Sequence, residues 1–123
     1  MKIKIILSAL LGALSFWTQQ KETPVGKVII QNEGDMAVIT GEVVNPGKKD
    51  CDLKYRLHTY KSGQSGTSNN SQGSNISLKA GEKTKLSTSK MNVLPGDSLY
   101  VSLVLMDSND DTLMIDNYTK IYP

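Results

Sequence analysis

Between residues 53 and 61 the chain alternates without a break. Leu53, Tyr55, Leu57 and Thr59 fall on one parity; Lys54, Arg56, His58 and Tyr60 fall on the other. A period of two marks a strand with one dry and one wet face, because successive side chains leave a pleated backbone on opposite sides. The first set is predicted to face a core and the second to face water. The pattern then runs into residues 62–75, which hold no large apolar side chain, and resumes where Ile76 and Leu78 alternate with Ser77 and Lys79. Ser and Asn compete with the backbone for hydrogen bonds, and Gly adds chain entropy. Residues 62–75 therefore read as a long loop or a weak edge strand.

The rest of the chain repeats this grammar. Residues 25–31 are rich in β-branched side chains and end at an Asn-Glu-Gly-Asp turn. Residues 36–45 are apolar on both parities (Val38 and Val44; Ile39 and Val43), as suits a central strand, and stop at Pro46-Gly47. A charged loop, residues 48–52, precedes the alternating strand. After Ala80-Gly81-Glu82, residues 83–90 form a polar basic strand anchored by Leu86. Pro95-Gly96-Asp97 is a strong turn signal before the most hydrophobic strand, 98–106, with Leu99, Val101, Leu103 and Leu105 in phase. An acidic hairpin loop, 107–111, leads into a last strand at 112–121. About seven short antiparallel strands with no amphipathic helical window predict an all-β, immunoglobulin-like β-sandwich. The Cys-Trp-Cys core of antibody domains is missing.

The first 19 residues read differently. Lys2 and Lys4 precede an apolar run, Ile5 to Trp17, of signal-peptide length and too short to span a bilayer comfortably. Ala13 and Ser15 offer a small-x-small cleavage pattern. The expectation is a signal peptide at 1–19, a single domain at 20–123, export, and no stable membrane insertion once the signal is removed. Loss of Lys2 and Lys4 leaves twelve basic against twelve acidic residues. A neutral domain makes no case for nucleic acid. Distribution says more: residues 48–90 hold nine Lys or Arg against three acids, and residues 91–123 hold Lys120 against five Asp. A basic side and an acidic side are expected.

Enzyme chemistry finds little to work with. His58 lies on the wet parity with no nucleophile or carboxylate placed beside it, and no Gly-x-Ser-x-Gly elbow occurs. Cys51 is alone, so it reads as a packed strand-edge thiol, with intermolecular pairing or redox work as alternatives. Asp107, Asn109, Asp110 and Asp111 could offer oxygens to calcium, but the Gly and distal Glu of an EF-hand loop are missing, and a solvated hairpin explains them. No cofactor or metal is called for. Lys54, Arg56 and Lys61, with Lys79, Lys83 and Lys85 further on, form one basic patch if their strands are neighbours; equally, they are charges that keep a β-face soluble.

Tyr55-x-Leu57, Lys61-Ser62-Gly63, Ser68-Asn69-Asn70-Ser71-Gln72-Gly73, Ser77-Leu78 and Gly81-Glu82 resemble the curli-assembly chaperone CsgH family over about 30 residues. That resemblance implies a small periplasmic immunoglobulin-like monomer, without enzymatic residues, that keeps amyloid curli subunits from polymerising early. Release into the medium is the lesser possibility. The related chaperone CsgC carries a Cys-x-Cys pair; here Cys51 is followed by Asp52 and Leu53, so no redox motif carries over. Curli-type subunits resemble repeats of Gln-x-Gly-x-x-Asn, and Gln64-x-Gly66-x-x-Asn69 matches, though so biased a tract also yields the pattern by chance. The client contacts expected are Lys54, Arg56, His58, Tyr60, Lys61, Gln64, Asn69, Asn70, Gln72, Lys83 and Lys85. The competing reading is a non-enzymatic β-sandwich binding module of an adhesin or surface-polysaccharide system, for which the tyrosines would supply the aromatic platform.

Overall fold

The computed structural model describes residues 23–64 and 66–123, so the signal peptide expected at 1–19 lies outside the described residues. Seven strands follow one another: β1 (Val25–Glu33), β2 (Met36–Val44), β3 (Cys51–Ser62), β4 (Ser68–Leu78), β5 (Lys83–Asn92), β6 (Ser98–Met106) and β7 (Thr112–Ile121). They form two antiparallel sheets, β1-β2-β5 and β4-β3-β6-β7. The chain changes sheet after β2, β4 and β5, giving the expected immunoglobulin-like sandwich.

The predicted periodicity decides what lies between the sheets. Leu53, Tyr55, Leu57 and Thr59 of β3 are buried, as are Leu99, Val101, Leu103 and Leu105 of β6. They meet Val28, Ala37, Ile39, Val43 and Met91 from the opposite sheet. Each fully buried aliphatic side chain contributes about 1.5–3 kcal/mol of transfer free energy, and no disulfide is present among the described residues to share that load. Gly26 lets β1 close onto this core: a Cβ there would meet Leu103 Cδ2 at 3.0 Å and Leu105 Cδ1 at 3.1 Å.

A bulge opens the other sheet beside β5. Gly41 pairs with Ser87 and Glu42 with Lys85, leaving Leu86 as the extra residue. Its unpaired carbonyl accepts a hydrogen bond from the buried Tyr55 hydroxyl at 3.1 Å. One tyrosine thus ties the two sheets and satisfies the bulge.

Of the two readings of residues 62–75, the loop holds for residues 63–67 and the edge strand from Ser68 onward. From Ser68 the chain is an eleven-residue strand in continuous register with β3, from Lys61↔Ser68 to Cys51↔Leu78. Ile76 and Leu78 belong to that same strand. Backbone pairing with a well-anchored β3 is enough to hold a segment whose own side chains supply little apolar burial.

Candidate functional site

The register places residues across the outer face of the four-stranded sheet in rows. Asn69, Tyr60, Tyr100 and Thr119 lie abreast, then Ser71, His58, Ser102 and Asn117, then Gly73, Arg56, Val104 and Ile115. Asn75, Lys54 and Met106 form the next row. Tyr60 and Tyr100 are directly opposed and both exposed; Ile115 is 54 % and Ile121 71 % exposed. β7 therefore turns the parity carrying Leu113 and Ile115 outward, while Met114, Asp116 and Tyr118 face in. The face combines an aromatic pair, an apolar strip and a basic strand. Sequence reading missed Tyr100 and Ile115 as members; the alternation of 98–106 had already put Tyr100 on the wet parity, but which strands stand beside it is a matter of register.

A missing side chain shapes the centre. An ideal Cβ at Gly73 would sit 2.7 Å from the Tyr55 carbonyl oxygen, so β4 lies unusually close to β3 there. Arg56, opposite Gly73, is left uncovered on that side. A shallow groove of about 500 Å³ results, lined by Lys54, Arg56, Gly73, Asn75, Met106 and Asp110 among others.

The basic patch is smaller than expected. Lys54 pairs with Asp110 at 2.8 Å, so the acidic hairpin reaches the basic strand and the two sides are not separate. An exposed pair of this kind is worth about 0–1 kcal/mol. Lys61 shares the parity of Leu57 and Thr59; it is 6 % exposed and donates through Nζ to the Asn92 carbonyl at 2.9 Å. It therefore leaves the surface list. Lys83 and Lys85 stand on β5 in the opposite sheet, and Lys83 faces Glu42 at 3.3 Å. β3 and β5 are not neighbours, so the single patch breaks up. Arg56 remains as the cation of this face with no ion pair among the described residues.

The Gln and Asn positions also separate. Gln64 and Gly66 lie in the β3–β4 connection, where Gly66 N–H donates to the Gly63 carbonyl at 3.0 Å, and only Asn69 is in the strand. The Gln-x-Gly-x-x-Asn match is thus mostly a turn. Asn70 and Gln72 face inward, toward β5. Asn70 Nδ2 donates to Ser89 Oγ at 2.9 Å, while Gln72 Oε1 and Ser87 Oγ are buried without hydrogen-bond partners among the described residues. This side of the sandwich has a polar interior.

Two other candidates resolve locally. Asp107 Oδ1 accepts from the backbone N–H of Asn109 and Asp111 at 2.8 and 3.0 Å, which shapes the acidic hairpin. Cys51 is half-buried against the core, and burial, then Asp52 and Asp50, push its thiol above the ordinary cysteine range. Such a thiol is a poor nucleophile at neutral pH.

No family model and no curated protein matches the chain. Solved structures do. CsgH of R. palustris superposes with a TM-score of 0.59 at 17 % identity, over 76 % of this chain and 89 % of that one. The E. coli curli protein CsgC superposes at 0.62 with 21 % identity, over 79 % of this chain and 97 % of its own. The chain shares their fold. A Bacteroides uniformis beta-glucuronidase matches at 0.53 and 22 % identity, over 81 % of this chain but only 13 % of that enzyme. Identities this low speak to architecture alone.

Proposed function

We propose that this chain is an exported, periplasmic, non-enzymatic protein that binds amyloid-forming subunits of curli type and delays their polymerisation without ATP. The observation that carries the reading is coverage: two curli proteins match over nearly their whole length. The glucuronidase, by contrast, matches only over a small part. The outer face of the four-stranded sheet supports it with Arg56 and Lys54 on a strand beside uncharged β4. The test mixes the purified mature chain with a curli-type subunit at substoichiometric ratio and follows dye fluorescence. A lengthened lag is expected; an unchanged lag rejects the proposal.

The opposed Tyr60 and Tyr100 favour a second reading, a carbohydrate-binding module, since adjacent exposed rings can stack on sugars. Glycan binding abolished by Tyr60→Ala, with no effect on fibrils, would select it.

A further inference from the structure

The two sheets have four edge strands, β1 and β5 in one, β4 and β7 in the other. An edge strand presents alternate backbone N–H and C=O groups with no partner, and soluble proteins guard such edges with charge, proline or covering side chains. β1 is guarded twice over. On its side away from β2, Val28 N–H donates to Asp116 Oδ2 at 2.9 Å and Gly26 N–H donates to Met114 Sδ at 2.8 Å. Both acceptors come from inward-facing positions of β7, which therefore covers the Gly26–Val28 part of that edge. β5 carries Lys83, Lys85 and Lys90, and β7 carries Asp116 and Lys120.

β4 has none of these protections. Ser68–Leu78 is eleven residues long, pairs among the described residues only with β3, and contains neither a charged residue nor a proline. Beneath its N-terminal half the interior toward β5 is polar, with Asn70 bound to Ser89 and Gln72 Oε1 without a hydrogen-bond partner among the described residues, whereas Ile76 and Leu78 pack on the core. Its outward side chains, Asn69, Ser71, Asn75 and Ser77, alternate around the bare backbone of Gly73.

The geometry points to β4 as an acceptor edge that takes one added strand, and to an extended, uncharged segment bearing Asn, Gln and Ser as its occupant. A neutral edge imposes no charge cost on a neutral strand. Amide and hydroxyl side chains of like kind ladder across paired strands in a way that charged ones do not. Main-chain hydrogen bonds supply the affinity in this mode, and the alternate outward side chains supply the selectivity. The covered start of β1 and the charges on β5 and β7 direct addition to β4. This inference deepens the reading above by naming the partner's chemistry and the edge that receives it.

The probe is a soluble twelve-residue peptide of Val, Asn, Gln, Ser and Gly with capped ends and no charge, titrated into the isotope-labelled chain while backbone amide exchange is followed. At saturation, exchange is expected to slow at least tenfold at alternate residues of Ser68–Leu78, with β1 unchanged. Protection at β1, β5 or β7, or none anywhere, overturns the inference. Protection of β4 that grows with protein concentration in the absence of peptide makes a second copy the occupant and overturns it too. Proline substitution sharpens the result. Successive residues of a strand aim their N–H groups at opposite edges, so of Ser71→Pro and Gln72→Pro one damages the β3 ladder and the other only the free edge. The variant that keeps the wild-type circular dichroism melt is expected to lose peptide binding at least tenfold; undiminished binding counts against β4. A lengthened fibril lag with protection elsewhere leaves the proposed function standing and removes this edge. Protection of β4 with an unchanged lag does the reverse.

Discussion

At Gln72 an edge strand shows a local cost of its composition. Its Oε1 is buried with no hydrogen-bond partner among the described residues, as is Ser87 Oγ on β5. A buried acceptor left unpaired costs about 1–3 kcal/mol, whereas an apolar group of similar size avoids the penalty. Gln72→Met is therefore expected to raise stability by about 1 kcal/mol, seen as a higher denaturation midpoint with unchanged slope. A lower midpoint would mean that the amide does something for the fold beyond filling space. Lys61 is the counterpart residue. Its alternation partners Leu57 and Thr59 already assigned it to the inner face, but its charge drew it to the surface patch. Charge lost to periodicity because the long aliphatic stem can be buried while Nζ reaches the Asn92 carbonyl.

At the scale of elements, β1 and β7 cooperate across the sandwich. β1 belongs to one sheet and β7 to the other, yet Asp116 and Met114 supply acceptors for two N–H groups of β1. Asp116→Ala is expected to destabilise the fold by about 1–3 kcal/mol through the orphaned Val28 N–H, and to cause concentration-dependent association by opening the β1 edge. Analytical ultracentrifugation and chemical denaturation read the two effects. Asp116→Asn, which keeps an acceptor oxygen, is expected to add no association beyond that of the wild type and to recover most of the stability. If the Ala variant is monomeric and as stable as wild type, the seal has no structural role. β4 shows the limit of reading elements from composition. Its inward residues Asn70 and Gln72 are polar and give no hydrophobic signal. The strand exists because β3 templates it, and only a three-dimensional neighbour can say so.

Over the whole molecule, charge is redistributed by folding. The excess of cations in residues 48–90 is divided between both sheets and the interior, and Asp110 from the acidic hairpin pairs with Lys54. What stays on the outer face is chiefly Arg56. Charge reversal at both Lys54 and Arg56 is expected to shorten the fibril lag toward that of the subunit alone and to flatten its dependence on salt, since exposed charges are screened over about 8–10 Å at ordinary ionic strength. Undiminished inhibition by the double variant would remove electrostatics from the mechanism. By itself the sequence determined the all-β sandwich, seven strands and the dry parity of β3 and β6, because strand periodicity and turn chemistry act over a few residues. Tertiary structure alone decided which strands are neighbours, and hence that Lys83 and Lys85 stand apart from Arg56, that Tyr100 and Ile115 join its face, and that β1 is closed while β4 is open. Those facts rest on register and on contacts between residues far apart in sequence, such as Val28 and Asp116, 88 positions apart. Of the two readings of the polar tract, a long loop or a weak edge strand, register with β3 selects the edge strand from Ser68 onward.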